Sequence, residues 1–330
     1  MPKAVLLNDT SHMLHAGSRL ASRNIVQLLS SKGIEVIYTT PHGQMFQEAW
    51  ADTVRRLRPD VIVVHGEGGI HSSAKRPWVG RLLQAALDLK AELNVPLALI
   101  NSIADTLEPE VLTILAEFDV INVRETRSQA YLAEKDIEAA AVPDFSLSRP
   151  FSASAHSRQG GIVIDSVVAE ASIELQQTAQ ALDWHWLSMQ PPLTRGRFPR
   201  VQKALRKLGA EQLPFVKSKS DPDRVLNFLA GHAQAVTGRF HGQMFCLLTH
   251  TPFFGIESNT HKITSSCIDV FGNAERVKSL QDLRNAASTA SGAAPVVPPF
   301  SDAEAQAVTA YLDRCAKGAQ QVIDRIAKLV

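Results

Sequence analysis

Two α/β domains, each a parallel sheet covered by helices on both faces, are predicted by three features of this 330-residue sequence. Short apolar runs rich in β-branched residues alternate with longer segments of helical periodicity. The alternation is interrupted by a polar stretch, residues 146–161, and then restarts. The residues able to carry charge and move protons fall just after predicted strands, where open α/β sheets bind their ligands.

In the first half, residues 4–7 read as a strand. Residues 18–31 read as a helix, with Leu20, Ile25, Leu28 and Leu29 at helical spacing. Gly33 stands where a helix-ending left-handed residue is expected. Strand 34–38 and helix 46–57 follow. The run Val61-Ile-Val-Val64 is β-branched throughout, as in a strand buried on both faces. Helix 78–93 and strands 96–100, 120–123 and 139–142, with helices between, complete this half. In the second half, strands are expected at 162–165, 184–189, 213–216, 235–237 and 253–256. Helices are expected at 169–182, 201–208, 223–230 and 242–248. Residues 286–299, rich in Ala, Ser and Pro, read as a surface loop. Residues 301–329 read as a closing helix packing mainly on the second domain, with a return to the first as the alternative, and with Val308, Cys315, Val322 and Ile326 on its apolar side. The expected organisation is 1–150 and 151–330, two Rossmann-like parallel-sheet domains facing a cleft, a glycosyltransferase-B-like α/β architecture.

The length suits two domains of roughly 150 residues. A hydrophobic content of 45% with 20% charged residues supports packed cores and excludes a disordered chain. The 34 basic and 33 acidic residues leave a formal net charge of +1, so there is no bulk field for nucleic acid or an anionic membrane. Any anion site must be built locally. No run of about 18 apolar residues occurs, so no transmembrane segment is expected. The opening MPKAVLLND lacks a signal-peptide pattern. Cys246, Cys267 and Cys315 form no CxxC pair and read as reduced core thiols in a cytoplasmic protein. No His/Cys/Asp/Glu spacing suggests a metal site, and no metal or other cofactor is expected.

Residues 236–262 are the most informative segment. A strand ends at Thr237, Gly238 permits a tight turn, and Arg239 and His241 lie at a helix start. Helix N-termini attract anions through free N–H groups. Arg adds a fork suited to phosphate or carboxylate, and His a proton donor that titrates near neutrality. The next strand delivers Glu257, Asn259, His261 and Lys262 to the same edge.

Arg239-Phe-His241, the apolar helix after it, Pro252 with its apolar strand, and Lys262 resemble the signature of the polysaccharide pyruvyl transferase family. In that signature an Arg-Leu-His turn takes the first place, so Phe240 replaces a Leu. Upstream, His65-Gly-Glu-Gly-Gly-Ile-His71 resembles the family's Gly-Glu-Gly…His turn, Val123-Arg-Glu-Thr-Arg-Ser128 its Arg-Glu…Ser element, and Val142-Pro-Asp144 its Pro-Asp. The polar turn from Asn8 to Gly17 departs from the glycine-rich Asn-Gly-Asp turn of many members.

The resemblance implies a transferase of bacterial envelope or capsular sugars that takes pyruvyl from phosphoenolpyruvate and forms a ketal. The acceptor would be a saccharide, lipid-linked in one version, met from the cytoplasm at the inner membrane face. The first domain would be the acceptor side and the second the donor side. Arg239, Lys262, Arg124, Glu257, Asn259 and the N–H groups around Phe240 and Gly242 would bind the donor. His241 or His71 would supply the proton to the enol methylene. Asp9, Glu67 or Glu257 would accept the hydroxyl proton. Plainer roles stand beside these. Glu67 and His71 could satisfy a tight glycine turn, and Arg124 and Glu125 could form a surface ion pair. Asp9, His12 and His15 could cap the first helix, and Asp144 could close the turn after Pro143. Arg195 and Arg197 read as a solvated loop or a lid. The rival functions are a glycosyltransferase using a nucleotide-activated sugar, such as a CMP-linked ulosonic acid with Glu257 on the ribose, and a non-enzymatic binder of anionic glycans.

Overall fold

A computed structural model describes residues 1–43, 49–152, 157–189, 220–289 and 296–330. The helix expected at 201–208, the strand at 213–216, and Arg195 and Arg197 lie outside the described residues. The chain divides into two compact units. One comprises Met1–His12, Leu20–Arg149 and Asp313–Val330, and the other Met13–Arg19 and Pro150–Leu312.

In the first unit, β1 (Lys3–Asp9), α1 (Ala16–Ser31), β2 (Glu35–Pro41), α2 (Ala49–Leu57), β3 (Val61–Glu67), α3 (Pro77–Leu93), β4 (Leu97–Ser102), α4 (Pro109–Ala116), β5 (Val120–Val123), α5 (Thr126–Ala133) and β6 (Ala140–Ala141) follow in turn. The strands form a parallel sheet in the order β2-β1-β3-β4-β5-β6. Successive strand residues face opposite sides, and here both sides are buried. Val5, Leu7, Ile62 and Val64 join α2, α3 and α4 in one core. Ala4, Leu6, Val61 and Val63 join Ile25 and Leu29 of α1 in the other. The unbroken apolar run at 61–64 follows from this double burial. Gly33 has the expected left-handed φ of 73°.

The sequence reading needs amending at one place here. Residues from Ser146 do not yet form a linker: Phe145–Leu147 is a buried 3-10 turn, closed by Ser146 N–H donating to Asp144 at 2.9 Å. The Asn24 amide donates to the Phe145 carbonyl at 2.8 Å. The second half of the closing helix also belongs to this unit, where Ala319, Val322, Ile323 and Ile326 complete the core around Leu6 and Val63.

The second unit contains β7 (Gly161–Ser166), α6 (Ala169–Ala181), β8 (His185–Leu187), α7 (Pro222–Ala230), β9 (Gln234–Gly238), α8 (Phe240–Leu248), β10 (Phe253–Ile256), α9 (Lys262–Phe271), β11 (Val277–Lys278) and α10 (Leu280–Thr289), followed by the closing helix α11 (Asp302–Ala327). Its described strands are parallel, in the order β11-β10-β9-β7-β8. Pro222 opens α7 after Asp221, whose carboxylate accepts Arg224 N–H at 2.9 Å. Gly272, at φ 73°, ends α9. α10 extends to Thr289 where a loop is expected from residue 286, because the Ala-rich segment is a good helix former. α9 and β11 lie beyond the elements predicted from the sequence.

The described strands of the two sheets are ordered alike around the first strand of each. Among the described residues, β1 is flanked by β2 and β3, and β7 by β8 and β9. The strand order therefore reverses at β1/β3 and at β7/β9. The carboxyl ends flanking such a reversal are where doubly wound sheets open a crevice for ligands. Among the described residues, no helix is long and apolar enough to cross a membrane.

Candidate functional site

At the β1/β3 reversal of the first unit, three consecutive central strands end in strain. Asn8, Glu67 and Asn101, at or near the ends of β1, β3 and β4, have φ of 63°, 50° and 53°. Left-handed non-glycine residues cost of order 1–3 kcal/mol each and persist only where surrounding bonds hold them. Here the bonds form a chain. Phe145 N–H donates to Asn101 Oδ1 at 2.8 Å, so Asn101 Nδ2 faces His65 Nε2, at 3.0 Å. His65 Nε2 is therefore an acceptor, and its proton sits on Nδ1, 3.3 Å from Ser22 Oγ. Ser22 Oγ also accepts Thr10 N–H at 3.0 Å and so donates to Thr10 Oγ1 at 2.9 Å. Burial pushes the fully buried His65 down to about 4, in keeping with a neutral ring locked in one tautomer.

Around this chain lie the charged groups. Arg124 is 2% exposed and is not part of a surface pair with Glu125. Its Nη1 lies 2.8 Å from Asp144 and 3.7 Å from Glu67. Glu125 instead caps α5, accepting Ser128 N–H at 2.9 Å. Asp144 does more than close a turn, because one oxygen holds Ser146 N–H and the other holds Arg124. Gly68 has no room for a side chain: a Cβ there would lie 2.7 Å from Arg124 Nη2. Asp9 does not cap α1. Its oxygens accept Ser11 N–H at 3.0 Å and Ser11 O–H at 2.5 Å, closing the turn after β1. His71 is buried in the β3–α3 loop, bridged to Asp105 of the β4–α4 loop, with Nδ1 3.2 Å from Ser72 Oγ.

At the β7/β9 reversal of the second unit, Asp165 and Arg239 meet. Arg239 Nε and Nη2 grip the two Asp165 oxygens at 2.9 and 2.7 Å, both residues nearly fully buried. Asp165 also accepts Ser188 O–H at 3.0 Å and Met189 N–H at 3.1 Å. Arg239 Nη1 lies outside the pair. Arg239 is the N-cap residue of α8, and Gly242 lets that helix approach β9, since a Cβ would lie 2.2 Å from Thr237 Oγ1. Phe240 and His241 are buried in the first turn. The His241 ring lies over Gly17, whose Cβ would come within 2.2 Å of His241 Cγ. His15 meets the same ring edge-on, centroids 5.1 Å apart. His15 Nδ1 lies 3.3 Å from Ser18 N and so accepts from it, as an N-cap does for α1.

Glu257, after β10, has both oxygens engaged. Oε1 accepts Ser258 N–H at 2.9 Å, and Oε2 accepts Thr264 N–H at 3.0 Å together with the Thr264 hydroxyl, which caps α9. Lys262 Nζ donates to Asn259 Oδ1 at 3.2 Å. The sequence-predicted residues thus fall into two clusters. Asp9, Glu67, His71 and Arg124 belong to the first unit. Arg239, Phe240, His241, Gly242, Glu257, Asn259 and Lys262 belong to the second. Among the described residues, no group of three or more His, Cys, Asp or Glu is placed to hold a metal ion. The three cysteines are buried, and burial raises the thiol of Cys267 to about 12.

Sequence reasoning missed Asp165, His42, His65 and Asn101 as members of these clusters. Asp165 and Asn101 were legible as polar residues ending apolar strands. His65 stood inside the turn motif.

The fold is shared with solved sugar-nucleotide proteins. Anabaena Alr3699/HepE in complex with UDP-glucose superimposes with a TM-score of 0.55 at 12% identity, over 100% of both chains. Methanocaldococcus jannaschii UDP-GlcNAc 2-epimerase in complex with UDP-GlcNAc and UDP gives 0.53 at 12% identity, over 94% of this chain and 99% of that one. These define two parallel-sheet α/β domains of the glycosyltransferase-B-like kind. Comparison with curated protein sequences returned no match. The polysaccharide pyruvyl transferase family matches residues 15–260, and the chain belongs to that family. It is a transferase.

Proposed function

We propose that the protein transfers pyruvyl from phosphoenolpyruvate to a saccharide of the bacterial envelope, with the second unit binding the donor and the first the acceptor. The observation that carries this reading is His241. It is buried in the first turn of α8, held over Gly17, two residues after the N-cap Arg239. Pyruvyl transfer needs an acid for the enol methylene beside an anion site for phosphate and carboxylate. The N–H groups of α8's first turn, Arg239 Nη1 and Lys262 are the groups proposed to hold the anion. His241 is the proposed acid.

In the proposed reaction the methylene carbon gains a proton and becomes the methyl group. Two saccharide hydroxyl oxygens bond to C2 and lose their protons, and phosphate leaves, carrying the second proton. Asp9 and Glu67 stand at the edge proposed for the acceptor. Glu67 and Asp144 on one Arg124, with Asp9 at the end of β1, suit a neutral polyol better than a dianion. The setting proposed is cytoplasmic, at the inner membrane face if the acceptor is lipid-linked.

A nucleotide-activated sugar is the second reading, favoured by the Anabaena protein's complex with UDP-glucose. Glu257, the residue considered for the ribose, already spends both oxygens on Ser258 and α9. The test is calorimetric titration with phosphoenolpyruvate, UDP-glucose and a CMP-linked sugar, followed by turnover in deuterated water. The expected result is deuterium in the pyruvyl methyl group. His241→Gln should retain donor affinity but lose about a hundredfold or more in turnover. Consumption of a nucleotide sugar with phosphoenolpyruvate untouched would overturn the pyruvyl reading.

A further inference from the structure

His42 follows β2 directly, at the sheet edge of the first unit. Its backbone N–H donates to the Asp9 carbonyl at 2.7 Å, which fixes the residue beside the end of β1. Its side chain meets Asn8, with Nδ1 and Asn8 Oδ1 2.7 Å apart. The direction of that bond is determined by its neighbour. Asn8 Nδ2 is 2.7 Å from the His65 carbonyl oxygen, which can only accept. The Asn8 amide is therefore oriented with its oxygen toward His42, and an amide oxygen accepts as well. The proton of His42 must then sit on Nδ1. Asn8 reaches this position through its left-handed backbone, φ 63°, a conformation Asn tolerates better than other side chains.

A neutral imidazole with its proton on Nδ1 presents a lone pair at Nε2. Among the described residues, nothing takes up that nitrogen of His42. The ring is half-buried and braced edge-on against Trp78, centroids 5.8 Å apart and planes at 89°. Trp78 in turn packs on the glycine turn after β3, where a Gly69 Cβ would lie 2.7 Å from its ring. His42 therefore sits with the Glu67 turn and Asp9 at the β1/β3 reversal. A histidine whose Nδ1–H is anchored by an amide or carboxyl oxygen is the arrangement that orients a general base. The carboxylates of Asp9 and Glu67 each already accept at least one local N–H or O–H.

We propose that His42, anchored through Nδ1 by Asn8, is the base that takes the proton from the attacking saccharide hydroxyl. The step is balanced: the O–H bond breaks, the hydroxyl oxygen bonds to the electrophilic carbon of the donor, and the proton passes to Nε2. The bond from that carbon to the donor's leaving oxygen breaks, and in turnover the proton leaves with the phosphate or nucleoside diphosphate released. The charged and titratable groups acting on the ring are Glu67, which favours its protonated form, and His12, which opposes it. Burial is the dominant influence and lowers the His42 pKa, which keeps the ring neutral and able to accept. The inference rests on the proposed transfer to a saccharide hydroxyl, and not on the identity of the donor.

The experiment has two arms. In the first, nitrogen NMR of histidine-labelled protein, with His42 assigned from the His42→Gln spectrum, reads the tautomer directly. Nδ1–H is expected in the wild type. Asn8→Gly, which suits the left-handed backbone, should shift it toward Nε2–H. Nε2–H in the wild type overturns the inference. In the second, phosphoenolpyruvate and UDP-glucose are each offered with a panel of free hexosides. His42→Gln should lower turnover by about a hundredfold or more with donor affinity unchanged. It should also remove the acid limb of the kcat/KM profile. Asn8→Gly should lower kcat about tenfold at unchanged KM. Wild-type turnover by His42→Gln overturns the inference. If the wild type uses neither donor, the reading under Proposed function falls, and the nitrogen spectrum alone decides the state of His42.

Discussion

Gly17→Ala is the smallest change that reaches the proposed acid. An added Cβ would stand 2.2 Å from His241 Cγ, 2.3 Å from its Cβ and 2.5 Å from Cδ2. Carbon atoms pack at about 3.5 Å or more, so the ring must retreat by about 1.3 Å. His15 meets the same ring edge-on, so the retreat is not a free rotation. Overpacking of this kind costs about 1–3 kcal/mol. Against it, replacing glycine by alanine in a helix returns about 0.5–1 kcal/mol. The net loss of stability should therefore be no more than about 2.5 kcal/mol, and the variant should fold. A catalytic group displaced by about 1 Å loses about a hundredfold in rate. Urea unfolding and turnover measured on one preparation separate the two effects. A Gly17→Ala protein that works at the wild-type rate would refute the argument that His241 acts from this position.

Two further outcomes are expected. Arg239→Ala should destabilise by about 3–5 kcal/mol, because it leaves the Asp165 carboxylate buried without its cation. Arg239→Ala with Asp165→Asn should recover part of the loss, and a urea midpoint unchanged in Arg239→Ala would show that the pair is not desolvated. His65 has a folded-state pKa near 4 against 6.5 for the free side chain. The unfolded chain therefore binds this proton first as pH falls. Stability is intact above about pH 6.5, erodes by about 3 kcal/mol down to pH 4, and then levels. His65→Gln should flatten that slope, and an equally steep acid slope in the variant would discount His65.

Most of the sheet was legible because the signal is local. A strand buried on both faces must be apolar throughout, and Val61-Ile-Val-Val64 satisfies that rule with no knowledge of its neighbours. Gly33 announced the end of α1 for an equally local reason. What could not be read were choices made by tertiary context. The second half of α11 carries the same helical periodicity as the first, yet Ala319, Val322 and Ile323 pack around Leu6 and Val63, far away in sequence. Ser146 looked like linker because it is polar, but its backbone is held by Asp144 and Asn24. At the sites, residue types that carry charge were recognisable, whereas their partners were not. Arg239 stood out as a cation after a strand. Nothing local in the sequence said that Asp165, at the end of the neighbouring strand β7, would occupy two of its nitrogens.

The two sites differ through the residues chosen where the order of the described strands reverses. At β7/β9 the reversal brings together one acid and one base, Asp165 and Arg239, and their charges cancel. The groups proposed for an anion there are the positive end of α8, the third guanidinium nitrogen and Lys262. At β1/β3 the balance is reversed, with Glu67 and Asp144 on Arg124 and Asp9 at the end of β1. An anionic donor placed there would meet net negative charge in a partly desolvated crevice, at a cost that grows as the effective dielectric falls. A hydroxyl-bearing acceptor carries no such penalty and finds oxygen and nitrogen acceptors in place. The neutral, tautomerically fixed pair of His65 and His42 fits that division. A reaction that must remove a proton from a hydroxyl needs an uncharged base held in a known orientation. Asn8, bonded to the His65 carbonyl on one side and to His42 Nδ1 on the other, supplies that orientation from a single strained residue.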